Sequence, residues 1–171
     1  MALSAKEAAE KALEIAWDGN LPVRPTAIAN SLVMFNGNKK FKIDMIGKSL
    51  KDEYGQSFSG QAYFDENDEV YRCEYNQDEN ELRIRFTMAH ELGHVLLGHV
   101  SDGEKKKRDT ENTAMDIYEI DANKFAAELL MPEVRVKHFV LSFASISSMA
   151  HAFRVSETAM LYRLKNLGIK Y

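Results

Sequence analysis

The stretch from Phe86 to His99 reads FTMAHELGHVLLGH and constrains the fold more than any other part of the chain. It contains the pattern His-Glu-x-x-His, and the apolar run around this pattern predicts a buried helix. Residues four apart share one helix face, so His90 and His94 can bind a single metal ion. Because buried imidazoles need partners, the alternative interpretation is two hydrogen-bonded core histidines.

Glu91 follows His90 and lies about 100° further around the helix axis. Its carboxylate is therefore beside a metal held by the two histidines, where a general base for the attacking water is needed. The motif predicts a zinc hydrolase with Glu91 as the catalytic residue. His99 is expected on the opposite side of the helix, as a helix-end residue and not a ligand.

A catalytic zinc site usually has three protein ligands and one water, so a third ligand is expected downstream. The next helical pattern covers residues 116–131 and ends at Pro132. Glu119 shares a face of this helix with small residues, which allow another helix to approach, and it is the predicted third metal ligand. Asp116 is the alternative ligand. An ordinary carboxylate near a helix start is the alternative role for Glu119.

Two further predictions follow from the same helix. Asn123, one turn after Glu119, could hydrogen-bond a ligating histidine and fix the orientation of its ring. Asp121, Lys124 and Glu128 are expected on the solvent-facing side, with Lys124 and Glu128 as an i,i+4 pair.

These motifs resemble the ImmA/IrrE family of metallopeptidases. The resemblance rests on TMAHELGH at 87–94 and on Glu119-x-x-Ala122-Asn123, with further similarity at 21–23, 59–60, 83–87, 125–132 and 153–164. It implies a zincin-like fold, with His90, His94 and Glu119 binding Zn²⁺ and Glu91 acting as base. It also implies the substrate class, since relatives cleave or otherwise antagonise helix-turn-helix repressors of phages, mobile elements or stress responses. Asp121 stands where many relatives carry a glutamate, and residues 35–54 look less typical.

Length and composition are consistent with a soluble globular protein. The chain has 171 residues, 45% of them hydrophobic, and a net charge of −4. We expect an α+β, mostly helical fold, with a small sheet against the metal-binding helix. Residues 1–135 are predicted to form the metallopeptidase domain, and residues 136–171 a C-terminal element. No secretory signal or membrane-spanning run is visible, and the single Cys73 is expected to be buried, which suggests a cytoplasmic location.

The pattern before the metal-binding helix predicts helices at 5–17 and 26–32 and strands near 61–64 and 70–75. A strand at 60–64 could hold an extended substrate by strand addition, and an ordinary half-buried strand is the alternative. The polar segment 101–112 is predicted to be a mobile loop between the two site helices.

The C-terminal element carries five basic residues and one acidic residue. Residues 146–153 and 156–166 predict a helical hairpin that resembles a helix-turn-helix, with Ser156 as N-cap. Only four of its side chains could reach the phosphates of DNA, namely His151, Arg154, Arg163 and Lys165. This small footprint favours a packing or substrate-docking role over direct DNA binding.

The predicted reaction is peptide hydrolysis by a zinc-dependent endopeptidase whose substrate is a regulatory protein. The oxyanion that forms at the scissile carbonyl would need a stabilising side chain. By chemistry alone the candidates are Tyr118, His99, His138 and His151. The alternative function is a non-hydrolytic zinc-binding regulator that acts by docking on a repressor or on DNA. The presence of Glu91 favours hydrolysis, because binding alone requires no base.

Overall fold

The computed structural model describes residues 3–100 and 113–171, with side chains from residue 117 onward in the second stretch. The predicted loop at 101–112 and the side chain of Asp116 therefore lie outside the described residues. The helices are α1 (Ala5–Ala16), α2 (Pro25–Ser31), α3 (Glu81–Leu96), α4 (Thr113–Leu130), α5 (Glu133–Leu141), α6 (Ile146–Phe153) and α7 (Glu157–Asn166). The strands are β1 (Val33–Asn36), β2 (Lys39–Lys48), β3 (Gly60–Asp65) and β4 (Val70–Asn76). The predicted α+β, mostly helical fold is confirmed.

Side-chain caps define where several helices begin. Ser4 and Glu7 form a reciprocal capping box at the start of α1, and the Asn80 side chain accepts a hydrogen bond from the Arg83 N–H at the start of α3. The Ser156 side chain accepts a bond from the Ala159 N–H, as the sequence predicts for α7. These caps satisfy backbone donors that have no partner within the helix.

The four strands form one mixed sheet in the order β1-β2-β4-β3. β1 and β2 are antiparallel, β2 and β4 are parallel, and β3 is antiparallel to β4. In the described part of the chain, β3 is therefore an edge strand. Its inward residue Ala62 pairs with Cys73 of β4, and both are buried in the core on the face that packs against α3.

The other face of the sheet is held together by polar contacts around Glu74. Its buried carboxylate accepts hydrogen bonds from Lys48 of β2, from Gln61 (2.7 Å) and from the Tyr63 hydroxyl (2.9 Å). Burial opposes ionisation of Glu74, but these bonds outweigh it and keep its pKa below the usual value. Burial and the bond to Glu74 raise the pKa of Tyr63 to about 12. The network fixes edge strand β3 against β4 and β2.

The sequence did not predict β1 and β2. The Asn36-Gly37 turn joins the two strands, and Gly37 has a φ of +60°, which suits glycine. In β2 the buried residues Phe41 and Ile43 alternate with lysines. This short alternation was obscured by the high lysine content of the segment, since a run of lysines more often marks a solvated loop.

Helices α3 and α4 pack closely where Gly93 meets Phe125. A methyl group at Gly93 would lie 2.9 Å from Cδ1 of Phe125, closer than a real side chain would tolerate. Phe125 is fully buried, as are Ala122 and Ala126 on α4. The small residues predicted on the Glu119 face of α4 are therefore in the core, and α4 also packs against α1.

The prediction that Glu128 faces solvent beside Lys124 is wrong. Glu128 is only 3% exposed and forms an ion pair with Arg163 of α7, while Lys124 lies 3.4 Å from Asp121. Arg163 is itself buried and also donates to the Met131 carbonyl (3.0 Å). It is therefore not available to contact phosphate. Periodicity failed here because the partner of Glu128 is distant in sequence and covers that side of α4.

We expect Arg163→Leu to lower the free energy of unfolding by about 3–5 kcal/mol, because it leaves a buried carboxylate without its counter-charge. Urea denaturation followed by circular dichroism measures this change. The double variant Glu128→Gln/Arg163→Leu should recover much of the loss, since the amide still accepts the bond from the Glu133 N–H. Equal destabilisation of the single and double variants would contradict an uncompensated charge as the cause.

Candidate metal centre

Helix α3 places His90 and His94 one turn apart on the face that meets α4. The Nε2 atoms of the two imidazoles are 3.1 Å apart. His94 is almost fully buried, with 3% of its side chain exposed, and His90 is 14% exposed. The helical spacing thus brings both rings to one point, as the sequence predicts.

Helix α4 brings Glu119 to the same point. Its two carboxylate oxygens lie 3.1 Å from His90 Nε2 and 3.3 Å from His94 Nε2. Among the described residues, His90, His94 and Glu119 form the one group of at least three such side chains that could hold a metal ion. The Glu119 side chain remains 44% exposed, so one side of the site is open to solvent.

The spacing of these atoms fits a tetrahedral zinc ion. Ligand atoms at about 2.0–2.2 Å from zinc lie about 3.3–3.6 Å from one another in tetrahedral geometry. The observed separations of 3.1–3.3 Å differ from this by a few tenths of an ångström. Two nitrogens and a carboxylate are also the ligand types that zinc takes in catalytic sites. The three side chains therefore fit a zinc ion with an open fourth position.

Asn123 contacts Nδ1 of His90, the ring nitrogen that faces away from Glu119 and His94. Its side-chain oxygen is 3.0 Å from His90 Nδ1, which is the hydrogen bond predicted from the spacing on α4. An amide oxygen can only accept, so His90 Nδ1 carries the proton and the lone pair of Nε2 points into the site. This bond fixes both the ring orientation and the tautomer of His90.

Glu91 lies on a different flank of α3, facing β3. It is only 6% exposed, and a methyl group at Gly60 would lie 2.9 Å from Glu91 Oε1 and 2.5 Å from the Thr87 side chain. The first residue of β3 can approach α3 this closely because it is glycine. Cys73 is buried nearby, as expected, and its pKa is raised by burial and by the Glu91 charge. The Glu91 carboxylate is thus enclosed between the helix and the sheet.

The prediction that His99 lies on the far side of the helix is wrong. Its Nδ1 is 3.1 Å from Nδ1 of His94, and its ring stacks on Tyr118 with centroids 4.4 Å apart. The prediction continued the helical angle to residue 99, but α3 ends at Leu96. The signal that sequence reasoning missed is Gly98, which commonly ends a helix and turns the chain back.

Other predicted candidates take no part in the group of three. Asp121 is 36% exposed and lies beside Lys124, consistent with its predicted solvent-facing position. His138 and His151 are exposed on α5 and α6. Of the four oxyanion candidates, Tyr118 and His99 are the two that lie beside the candidate metal centre. His99 contacts His94, and Tyr118 contacts His99.

A His-Glu-x-x-His helix, a carboxylate from the next helix and a small sheet on the first helix together define a zincin-like protein of the metallopeptidase class. The family model of the M78 peptidases, described as the IrrE N-terminal-like domain, matches residues 38–165. The chain belongs to this family, the ImmA/IrrE metallopeptidases, as its motifs suggested. A comparison with curated proteins finds no match.

We expect the metal-free protein to take up one equivalent of Zn²⁺, and expect His90→Ala, His94→Ala and Glu119→Ala to lose this binding after dialysis. Each of them removes one of three converging ligand atoms. Elemental analysis by mass spectrometry measures the metal content. Asp121→Ala is the matched control on α4 and should retain the metal. If Glu119→Ala kept its zinc while Asp116→Ala lost it, the third ligand would be Asp116.

Proposed function

We propose that this protein is a zinc-dependent endopeptidase that cleaves a helix-turn-helix transcriptional repressor. The observation that carries the proposal is the buried carboxylate of Glu91 on the same helix as the converging histidines. Membership of a metallopeptidase family supports the reaction type. The repressor substrate comes from the family resemblance, and such a substrate would place the protein in the cytoplasm. In the described residues, no helix has the length and apolar character needed to cross the membrane.

The side chains proposed to act in hydrolysis lie on two flanks of α3. His90, His94 and Glu119 would hold the zinc ion, which when bound polarises the scissile carbonyl and lowers the pKa of the attacking water towards about 7. Glu91 accepts the proton of that water and returns it to the nitrogen of the leaving amine. Enclosure between β3 and α3 keeps this carboxylate from joining the metal ligands and leaves it as a base.

We infer that edge strand β3 holds the substrate backbone. The Asn76 N–H donates to the Ser59 carbonyl (2.7 Å), and the antiparallel alternation from this pair directs the backbone groups of Ala62 and Phe64 away from β4. Because β3 begins beside Glu91, a peptide added along this edge would lie close to the base. The position supports the proposal that residues 60–64 bind an extended substrate segment.

A cavity of about 370 Å³ at the far end of the sheet does not adjoin the histidines, whereas one of about 300 Å³ lies along α3. The second cavity is lined mainly by apolar side chains, Leu82, Phe86, Met131, Val155 and Ala159, with Asn80, Arg83 and Ser156 also contributing. The Phe86 ring centroid is 6.3 Å from that of His90. This apolar recess supports a substrate with an apolar side chain near the scissile bond.

The test of the reaction is incubation of the zinc-loaded protein with candidate helix-turn-helix repressors from the same organism, beginning with any that is encoded near its gene. We expect the wild type to cut the repressor and Glu91→Gln to cut it about 10²–10⁴-fold more slowly, because the amide cannot accept the proton. Mass spectrometry of the fragments measures the rates, and zinc content controls for an intact site. Cleavage at equal rates by both proteins, or inactivation of the repressor without cleavage, would instead favour the docking regulator.

The test of the strand is Ala62→Pro, which removes one outward N–H and should slow cleavage by about 2–10-fold, the value of one hydrogen bond. Ala62→Ser keeps the N–H and serves as the control. Both variants should bind zinc as the wild type does, and circular dichroism should show an unchanged fold. Unchanged cleavage by a folded Ala62→Pro protein would rule out strand addition at this edge.

A further inference from the structure

The chain after α3 folds back so that His99 covers His94. Leu97 is the C-cap of the helix, and Gly98 follows with a φ of +72°. The Gly98 N–H donates to the Val95 carbonyl (3.1 Å), and the His99 N–H donates to the His94 carbonyl (2.9 Å). These two bonds form a Schellman motif, in which the residue after the glycine contacts the residue three from the helix end. The motif usually pairs two apolar side chains, but here it pairs two histidines.

The contact between the two rings constrains their protons. His94 Nδ1 and His99 Nδ1 are 3.1 Å apart, so one nitrogen must donate and the other accept. The other nitrogen of His94, Nε2, points at Glu119 and at His90 Nε2. If His94 offers the Nε2 lone pair to a metal, its proton is on Nδ1. His99 must then accept through Nδ1 and carry its own proton on Nε2.

His99 is also fixed from the side of α4. Its ring packs against that of Tyr118 in a tilted arrangement, with centroids 4.4 Å apart and an interplanar angle of 31°. Tyr118 directly precedes Glu119, the carboxylate of the group. His99 is therefore held by its own backbone turn and by the helix that supplies Glu119, and it is placed to restrict the rotation of the His94 ring.

We propose that His99 is a positioning residue that orients His94 for metal binding by accepting a hydrogen bond from His94 Nδ1–H. Asn123 does the same for His90, at 3.0 Å from its Nδ1. Each histidine of the site thus has an acceptor behind it, one from α4 and one from the turn after α3. This inference rests on the proposed zinc site. Partners of this kind contribute about 10–100-fold to metal affinity in other proteins.

The test is the affinity of the full-length protein for Zn²⁺, measured at one pH by competition with a chromophoric chelator. His99→Phe keeps a ring on Tyr118 but has no acceptor, and we expect it to bind zinc about 10–100-fold more weakly. His99→Asn places an oxygen near the position of Nδ1 and should restore affinity to within about threefold of the wild type. Asn123→Ala, which removes the corresponding acceptor of His90, should weaken binding by a similar factor.

Two further measurements separate positioning from a general effect on folding. Circular dichroism should show that the metal-free His99→Phe and His99→Asn proteins are both folded at the assay temperature, and His99→Ala replaces the phenylalanine variant if that protein does not fold. The absorption spectrum of the Co²⁺ form should change in the variant without an acceptor and be restored by asparagine. A purely structural role would not predict a spectrum that changes in folded His99→Phe and is restored in His99→Asn.

Three results would overturn the proposal. Wild-type affinity in folded His99→Phe would exclude a role for the hydrogen bond. Complete loss of zinc in both His99→Phe and His99→Asn, as in His90→Ala, would make His99 a ligand instead. If the wild type itself bound no zinc, or His90→Ala bound it normally, the proposed metal site would fail, and the positioning role of His99 would fail with it.

Discussion

The close contact between α3 and α4 is the interaction on which the site depends. The two histidines are on α3 and Glu119 is on α4, so the ligand atoms converge only if the helices approach to the distance that Gly93 and Phe125 allow. Any larger side chain at residue 93 would have to displace Phe125, because a methyl group there would already lie 2.9 Å from its Cδ1. Because the Glu119 oxygens lie 3.1–3.3 Å from the imidazole nitrogens, a displacement of α4 would carry Glu119 away from the histidines and weaken binding of a shared metal ion.

The opposite flank of α3 has a second close contact, made by Gly60. There the first residue of β3 meets Thr87 and Glu91, and the Glu74 network holds β3 to the rest of the sheet. Helix α3 thus lies between α4, which carries the Glu119 carboxylate, and edge strand β3. Two consecutive residues, His90 and Glu91, point to these different flanks because successive side chains on a helix diverge by about 100°. His90 therefore faces the Glu119 carboxylate while Glu91 faces β3.

The sequence predicted the positions of the site residues that lie within a regular helix. It did not predict those of residues outside one. His90, His94, Glu119 and Asn123 all lie within α3 or α4, where a fixed angle per residue relates side chains on one face. Their convergence in the structure follows from that regularity. His99 lies past the end of α3, where the same angle no longer applies, and Gly98 was the available signal. The Glu128–Arg163 pair joins α4 to α7, and no local pattern encodes a partner so distant in sequence.

The hydrogen bonds behind the two histidines explain how the chain accommodates these polar rings. A buried imidazole costs free energy unless both nitrogens have partners, and His94 is almost fully enclosed. The Asn123 oxygen requires the proton of His90 on Nδ1, and the proposed bond from His94 Nδ1–H to His99 has the same effect on His94, so that both rings would direct a lone pair at the Glu119 carboxylate. Two lone pairs and a carboxylate facing one another at 3.1–3.3 Å repel unless positive charge lies between them. The same bonds that orient the rings therefore make a cation the natural occupant of the point where they converge.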